Sequence, residues 1–328
     1  MLLRNIAGAI AAVASLLAST ILAAAPQTFE QAKVELRQYV YADRNQAAEG
    51  TLYCGCHWAW TGRSGGRINF SSCGMRPRAQ SHRAERIEWE HVVPASLMGQ
   101  QRQCWQEGGR ANCTATDSAF QVMEADMHNL APSVGELNAD RSNFRFGALP
   151  AARYQHGACD FKVDFPGRVV EPRDEVKGRI ARIYFYIHDR YDLRMSEQQQ
   201  RLFMAWDRQF PVSAWETERD RRIATRMGHN NPFVTGERIW TSGHQNARDG
   251  IVSPAPKPGA KTVQNSHPTS AQSGSDTAVR ANRNSRVYHL PEGCPSYNDV
   301  SARNIVEFAS ESAAQAAGYR KARNCKSD

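Results

Sequence analysis

The chain has 328 residues and a formal net charge of +8. This length indicates one large domain with a small addition, or two domains. The apolar and charged fractions are ordinary for a soluble protein, which argues against protein classes with a strongly biased amino-acid composition. The basic balance favours anionic partners, such as nucleic acid or an anionic membrane surface.

The N-terminus has the pattern of a secretory signal. Arg4 supplies a positive charge, an almost unbroken apolar run extends from Ile6 to Leu22, and small residues follow at Ala23–Ala25. The run is short for a membrane span, and no later segment is long and apolar enough to be one. We therefore predict a signal peptide over residues 1–25 and a periplasmic or secreted protein, with an uncleaved anchor as the alternative. The cleavage point stays open, because Pro26 would stand at the new terminus.

The first predicted element is a helix over residues 28–43. Thr28 can cap its N-terminus, Gln31 follows three residues later, and apolar residues recur on one side. The next stretch, residues 49–75, is rich in Gly, Ser and aromatic side chains, which predicts short strands and loops.

A strand and a helix are predicted next. Residues 86–93 form a compact apolar and polar stretch that ends at Pro94, which is typical of a strand. Ser133 and Glu136 have the spacing of a capping box, which would open a helix that includes Asn138.

Three further helices are predicted towards residue 220. The first is indicated by apolar residues at helical spacing, namely Val176, Ile180, Ile183, Tyr184 and Ile187. Each of the other two begins with a Ser that can cap it, followed three residues later by a Gln or Glu: Ser196 with Gln199, and Ser213 with Glu216.

The character of the chain changes from about Thr241. Residues 241–287 contain no Phe, Trp or Tyr, and alternating prolines give way to Ser, Thr, Asn and Gln. Such a segment cannot bury enough apolar surface to offset the entropy lost on ordering. We predict a main domain over residues 26–245, a flexible linker over 246–280 and a small module over 281–328.

Eight cysteines follow the predicted signal, and an even number in an oxidising compartment favours disulfides. The competing interpretation is zinc, because Cys54-Gly-Cys56-His57 has some likeness to a metal knuckle, although its C-x-C spacing departs from the usual pattern. We expect disulfides among the six cysteines of the main domain, with the pairing left open. The disulfide candidates are Cys54, Cys56, Cys73, Cys104, Cys113, Cys159, Cys294 and Cys325.

Residues suited to phosphodiester hydrolysis lie between positions 88 and 143. This reaction needs a deprotonated water, a cation on the phosphate and stabilisation of the departing 3′-oxygen. A neutral histidine such as His91 suits the base, carboxylate and amide oxygens such as those of Glu90 and Asn138 suit Mg²⁺, and the planar fork of Arg110 suits phosphate. Each residue also has an ordinary structural interpretation, as a strand-end histidine or a solvated polar side chain. In a regular strand Glu90 and His91 would face opposite sides, so sharing one site requires a bulge or a strand end.

Several long strings resemble the endonuclease I family of periplasmic and secreted bacterial nucleases. The first is Glu88-Trp-Glu90-His91-Val-Val-Pro94. The others are Cys54-Gly-Cys56, Gln101-Arg-Gln-Cys104-Trp-Gln-Glu-Gly-Gly-Arg110 with Cys113, Asp126-Met-His-Asn129-Leu-Ala-Pro-Ser-Val-Gly-Glu136, Asn138-Ala-Asp140-Arg141, Lys162-Val-Asp164-Phe165 and Arg179-Ile-Ala-Arg182-Ile-Tyr-Phe-Tyr186. The resemblance extends from about residue 28 to about residue 235.

The resemblance implies a fold and a set of roles. The fold would be α+β, a ββα-metal nuclease core within a mixed α/β domain, with the small C-terminal module appended. Glu90 and Asn138 would ligate Mg²⁺, His91 would be the general base, and Arg110 would contact the phosphate. The substrate would be DNA, and RNA as well in some members, cut with little sequence specificity to leave 5′-phosphates. The secondary site candidates are Asp126, His128 and Asn129.

Two features depart from what the resemblances imply. The family pattern places a cysteine where Trp215-Glu216-Thr217 stands, so one family disulfide is expected to be missing. The C-terminal module resembles small Ada-type metal-binding modules, which use four cysteines, whereas only Cys294 and Cys325 stand here. A Cys294–Cys325 disulfide and a Zn²⁺ site that includes His289 both stay open.

These observations favour an exported Mg²⁺-dependent endonuclease. The alternative is a noncatalytic extracytoplasmic protein that binds or takes up nucleic acid on the same fold. The combination of Glu90, His91, Arg110 and Asn138 argues against it, because binding alone does not require a base. A third hypothesis is a zinc enzyme built on Cys56 and His57.

Overall fold

The computed structural model describes residues 25–250 and, near the C-terminus, 279–283, 285–291, 294, 297, 304–308, 310–322 and 325. The chain divides into two compact units, residues 1–254 and 255–328, which are described separately. Almost all of the predicted signal peptide and most of the predicted linker lie outside the described residues. No helix in the described ranges has the length and apolar composition required to cross a bilayer.

The first unit is an α+β structure of short strands and many helices. In chain order its elements are α1 (Phe29–Glu35), a π-helical turn (Leu36–Val40), β1 (His57–Thr61), β2 (Gly65–Asn69), a 3₁₀ turn (Phe70–Ser72), α2 (Ser81–Ala84), β3 (Ile87–His91), α3 (Ala95–Gly99), α4 (Gln103–Gln106), α5 (Gly109–Thr116), α6 (Ser118–Glu124), a 3₁₀ turn (Met127–Asn129), β4 (Leu130–Val134), α7 (Gly135–Arg141), β5 (Arg145–Phe146), β6 (Lys162–Asp164), β7 (Val169–Glu171), α8 (Asp174–Arg190), α9 (Glu197–Gln209), α10 (Ala214–Met227) and α11 (Pro232–Thr235).

The ββα core of this unit consists of β3, β4 and α7. The two strands pair antiparallel, with Glu90 opposite Ala131 and His91 opposite Leu130. Helix α7 begins at Gly135, directly after β4 ends, so the helix is attached to the strand pair without an intervening loop. The other sheets of the unit are the antiparallel pair β1–β2 and a sheet with the order β5–β7–β6.

Apolar packing holds elements against both strands of the core. Leu36 and Val40, from the turn that continues α1, belong to a buried cluster with Trp89 of β3, Leu130 of β4 and Ile223 of α10. The larger apolar core contains much of the 17-residue helix α8 together with α9. Burial of this much apolar surface fixes the position of the ββα core.

Three predicted helix starts are confirmed. Thr28, Ser196 and Ser213 are N-caps, and each side chain accepts a hydrogen bond from the backbone N–H three residues later. The helix predicted over residues 28–43 is shorter, because α1 changes to π-helical geometry at Leu36 and ends at Val40. The helix predicted from apolar spacing is α8, and the predicted strand is β3.

The predicted capping box at Ser133 and Glu136 is wrong. Ser133 is still in β4, Val134 is the N-cap residue of α7, and α7 has no side-chain cap. The Glu136 carboxylate instead accepts backbone N–H groups from the distant segment Arg78–Gln80, at 2.6–3.0 Å. A long-range set of hydrogen bonds has therefore displaced the local one that the sequence pattern predicted.

The eight cysteines form four disulfides, and none of them is free. In the first unit the pairs are Cys54–Cys159, Cys56–Cys73 and Cys104–Cys113. These pairings leave no thiolate for the hypothetical zinc enzyme on Cys56 and His57.

The described residues of the second unit form a small sheet and one helix. Its elements are β8 (Val279–Asn282), β9 (Val287–His289), β10 (Ile305–Phe308), α12 (Glu311–Ala316) and β11 (Arg320–Lys321), and the strand order is β10–β8–β9–β11. Cys294 and Cys325 are paired, and a ring nitrogen of His289 lies within 4.8 Å of both sulfur atoms. The likeness to Ada-type modules stays a prediction.

Candidate active site

A cleft of about 680 Å³ opens beside the ββα core. Glu90 and His91 from β3, Arg110 from α5 and Asn138 from α7 all line it. His91 is the last residue of β3. All five residues of β3 line the cleft, so it reaches both faces of the strand end and Glu90 and His91 can both line it, although strict strand alternation separates their side chains.

Glu90 is a buried acid with two polar partners. Its side chain accepts a hydrogen bond from the Tyr53 hydroxyl at 2.6 Å, and Arg141 Nε lies 3.4 Å from the same oxygen. Burial raises the pKa of Glu90 to about 7, and the nearby Arg141 charge and the Tyr53 hydrogen bond oppose this rise. A further cation at the carboxylate would therefore favour its ionised form.

Asn138 is oriented by Glu88. The Asn138 amide donates through Nδ2 to Glu88 Oε2 at 2.8 Å. A carboxylate only accepts, so this bond assigns the amide nitrogen to the Glu88 side and directs Oδ1 away from it. Burial raises the pKa of Glu88, but hydrogen bonds from Arg83, Asn138 and Arg86 outweigh this and the net shift is downward. Glu88 is therefore ionised at neutral pH and holds Asn138 as an acceptor.

His91 has a defined tautomer. Its Nε2 lies 2.8 Å from the backbone carbonyl oxygen of Glu124. Because a carbonyl only accepts, Nε2 must bear the hydrogen and Nδ1 must have the lone pair. Burial lowers the pKa of His91 to about 4, more than the Glu124 carbonyl raises it. At neutral pH the ring is therefore neutral, with Nδ1 as its basic atom.

Arg110 is held at one nitrogen. Its Nε donates to Glu124 Oε1 at 2.6 Å, and its side chain is 49% exposed. Among the described residues, no hydrogen bond or ion pair occupies the terminal nitrogens of Arg110. The Cys104–Cys113 disulfide joins the two sides of the segment that contains Arg110. Arg110 therefore lines the cleft with its guanidinium held at Nε and its two terminal nitrogens available to a ligand.

The secondary candidates Asp126 and His128 lie in a buried polar network. Asp126 accepts hydroxyl hydrogen bonds from Tyr186 at 2.6 Å and Tyr191 at 2.7 Å, and its other oxygen accepts the backbone N–H of His128. The His128 ring is itself buried and lies 3.1 Å from the carbonyl oxygen of His229. Neither residue lines the cleft.

The third secondary candidate, Asn129, supports the end of β3. Its amide accepts from the backbone N–H of Val93 at 2.7 Å and donates to the Val93 carbonyl at 2.9 Å. The backbone carbonyl of Asn129 also accepts the Val92 N–H. Asn129 therefore fixes the chain just after His91 and does not line the cleft.

Tyr53, Glu124 and Phe29 also belong to the site, and the sequence did not predict them there. Tyr53 contacts Glu90 across 37 residues, and Glu124 contacts His91 across 33 residues, so neither has a local spacing signal. Phe29 stands on α1, where its place in the helical pattern gave no reason to assign it to the site. Two other supporting residues, Glu88 and Arg141, lie within the quoted family strings, which is the signal that was available.

Comparison with known proteins gives a consistent result. The sequence profile of the family described as Endonuclease I matches residues 28–237. A periplasmic deoxyribonuclease of Aeromonas hydrophila is 47% identical over 222 residues, which cover 67% of this chain and 91% of the relative. Endonuclease-1 of Buchnera aphidicola is 42% identical over 208 residues, covering 63% and 80%. An extracellular ribonuclease of Bacillus subtilis is 30% identical over 139 residues, covering 35% and 46%.

The matched region contains all four predicted catalytic and metal-binding residues that line the cleft, namely Glu90, His91, Arg110 and Asn138. The predicted resemblance, from about residue 28 to about residue 235, agrees with the matched range. The chain belongs to the endonuclease I family and is an endonuclease.

Proposed function

We propose that this protein is an exported, Mg²⁺-dependent endonuclease that hydrolyses DNA with little sequence specificity and leaves 5′-phosphates. The observation that carries the proposal is the neutral His91, with its basic Nδ1, in one cleft with Glu90, Asn138 and Arg110. The export and the DNA substrate are supported by relatives described as periplasmic or extracellular deoxyribonucleases. Cleavage of RNA is a second candidate activity, because relatives described as extracellular ribonucleases match part of the chain.

The donor set fits a divalent cation that prefers oxygen. Glu90 offers a carboxylate whose pKa is raised by burial, and Asn138 offers an amide oxygen because its nitrogen is engaged by Glu88. Mg²⁺ binds through few protein oxygens and retains several waters, so two such ligands are sufficient. When bound there, Mg²⁺ would stabilise negative charge on the phosphate and on the departing 3′-oxygen.

The residues of this chain supply the remaining requirements. His91 Nδ1 accepts a proton from the attacking water, and the Glu124 carbonyl holds the ring in the required tautomer. The two terminal nitrogens of Arg110 bind phosphate oxygens while Nε stays on Glu124. Glu88 holds the Asn138 amide so that its oxygen, not its nitrogen, is available to the cation.

The proposed lack of sequence specificity follows from what the site recognises. Its assigned groups act on phosphate and water, and contacts to the phosphate backbone contain no direct sequence information. We also propose that residues 1–25 are a signal peptide, 26–245 the nuclease domain, 246–280 a linker and 281–328 an accessory module. A Zn²⁺ site at His289 in that module is incompatible with an intact Cys294–Cys325 disulfide, because zinc binds thiolates.

A metal titration tests the proposal. Plasmid cleavage by the purified protein should stop with chelator and return with Mg²⁺. Asn138→Ala and Glu90→Ala should each need more Mg²⁺ for half-maximal cleavage, because each removes an oxygen ligand. Asn143→Ala, which truncates a cleft-lining amide with no assigned ligand role, is the matched control and should keep the wild-type Mg²⁺ requirement. Cleavage that persists in chelator would overturn the metal requirement, and an unchanged Mg²⁺ requirement in both ligand variants would overturn the assignment.

A further inference from the structure

The Phe29 ring contacts both of the residues proposed as base and phosphate ligand. Its ring centroid is 4.6 Å from that of His91, with 38° between the planes. The Arg110 guanidinium carbon is 5.7 Å from the same Phe29 centroid. Phe29 also lines the catalytic cleft and a neighbouring apolar cleft of about 810 Å³, so its ring forms part of the wall between them.

The helix that presents Phe29 is well anchored. Phe29 is the first residue of α1, and the Thr28 hydroxyl caps this helix by accepting the Gln31 N–H at 3.2 Å. Ala32 and Leu36 are fully buried in the apolar cluster behind β3 and β4. Phe29 therefore has a fixed position relative to the strand that ends at His91.

The hydrogen bond to Glu124 does not by itself fix the His91 ring. It locates Nε2, but the ring can still tilt about that contact, and a tilt displaces Nδ1 on the opposite side. The Phe29 ring lies against His91 and restricts this tilt. Glu124 and Phe29 both contact Arg110 as well, so the same two residues brace the base and the guanidinium.

We propose that Phe29 is a positioning residue, which sets the plane of the His91 imidazole and the placement of the Arg110 guanidinium. This inference rests on the proposed function. It makes the first helix after the predicted signal peptide a part of the active site. A displacement of about 1 Å in a catalytic group costs on the order of 100-fold in rate, so loss of the Phe29 ring should affect turnover strongly.

Steady-state cleavage kinetics test this role. Phe29→Ala should lower kcat by about 10-fold to 100-fold while KM and the Mg²⁺ requirement stay within about twofold, because metal ligands and most phosphate contacts are retained. Phe29→Tyr retains the ring and should recover most of the lost kcat. Tyr39→Ala is the matched control, since it truncates an exposed aromatic on the continuation of the same helix and should leave kcat unchanged.

A double-variant comparison separates positioning from a general structural effect. Because Phe29 is proposed to act through both His91 and Arg110, Phe29→Ala should lower the residual rate of His91→Ala by a clearly smaller factor than it lowers the wild-type rate. Wild-type kcat in a folded Phe29→Ala variant, or an equal loss in both backgrounds, would overturn the proposal for Phe29 alone. Full activity in His91→Ala would instead overturn the proposed catalytic base, and the positioning role with it.

Discussion

At the scale of single residues, the site depends on two acceptors that each restrict a neighbour to one chemical form. The Glu124 carbonyl requires a hydrogen on His91 Nε2, and the Glu88 carboxylate requires the amide nitrogen of Asn138. Both restrictions follow from the inability of these oxygens to donate. Burial then lowers the pKa of His91 to about 4, so its ring is neutral at neutral pH.

Arg110→Lys should impair cleavage although the charge is kept. A lysine side chain has a single nitrogen, so it cannot bind Glu124 through one nitrogen and phosphate through two others, as arginine can. Loss of a charge-assisted hydrogen bond typically costs about 1.5–3 kcal/mol, which corresponds to a decrease of roughly 10-fold to 100-fold in kcat/KM. Arg208→Lys, at an exposed position on α9, is the control. Equal kcat/KM for Arg and Lys at position 110 would reduce its role to that of a general charge.

A buried histidine on α8 predicts a pH-dependent stability. Burial lowers the pKa of His188 to about 4, and its buried Nε2 has no hydrogen-bond partner within the part of the chain that the structure describes. As pH falls below about 6.5, the unfolded chain gains a proton at this residue and the folded chain does not. The free energy of unfolding should therefore fall between about pH 6.5 and pH 4, by up to about 1.4 kcal/mol per pH unit from this group.

Denaturant unfolding at pH 7 and pH 5 checks this. His188→Leu should lose less stability between the two pH values than the wild type does, because the residue that takes up the proton is gone. His82→Leu, at an exposed position on α2, should behave like the wild type. A pH dependence that is identical in all three proteins would contradict the assignment to His188.

At the scale of elements, helix starts could be predicted from neighbouring residues, whereas contacts between residues distant in sequence could not. The caps at Thr28, Ser196 and Ser213 use neighbours three residues away, so the sequence contains all the information required. The predicted capping role of Glu136 is wrong because its carboxylate accepts backbone N–H groups from residues more than fifty positions away in the sequence. Tyr53 was missed for the same reason, since its contact with Glu90 is created by the fold.

The pairing of the cysteines could not be predicted from their spacing in the sequence either. Six cysteines permit many pairings, and the sequence does not select one. The Cys54–Cys159 pair spans 105 residues, whereas Cys104–Cys113 closes a short segment around Arg110. The family strings did group Glu90, His91, Arg110 and Asn138, because each lies within a quoted motif, but motifs alone could not show which atoms face the cleft.

The disulfide beside Arg110 should matter for turnover. The double variant Cys104→Ser/Cys113→Ser removes the brace of the segment that presents Arg110, so kcat/KM should fall while the Mg²⁺ requirement is unchanged. Stability should fall too, by roughly 2–5 kcal/mol. The matched control is Cys294→Ser/Cys325→Ser in the second unit, which should leave cleavage unaffected. Wild-type kcat/KM in the first double variant would show that Arg110 needs no such brace.

At the scale of the whole molecule, the proposed chemistry lies entirely in the first unit. The four assigned residues fall between positions 90 and 138. The segment near the C-terminal end of the first unit is hydrogen-bonded to α8. The backbone N–H groups of Arg248 and Gly250 donate to the carbonyls of Asp189 and Arg190. These bonds place residues 248–250 with the nuclease unit.

A chain that ends at residue 254 should therefore retain metal-dependent cleavage. We expect kcat within about twofold of the full chain, with any loss confined to substrate affinity at low salt, because a tethered module can raise the local concentration of substrate. A chain that ends at residue 245 is a useful comparison, since it lacks the Arg248 and Gly250 hydrogen bonds and should be less stable. A folded chain ending at 254 that is inactive at saturating DNA would show that the second unit completes the site.

The proposed chemistry depends above all on His91 as the general base. Single-turnover cleavage of plasmid DNA at saturating Mg²⁺, with wild-type protein and His91→Ala side by side, tests this most directly. We predict a fall in rate of about 10²-fold to 10⁴-fold for His91→Ala, the range that general-base catalysis contributes. DNA affinity should be nearly unchanged, because it comes mainly from cationic contacts to phosphate. A folded His91→Ala protein that binds and cleaves DNA at close to the wild-type rate would contradict the account.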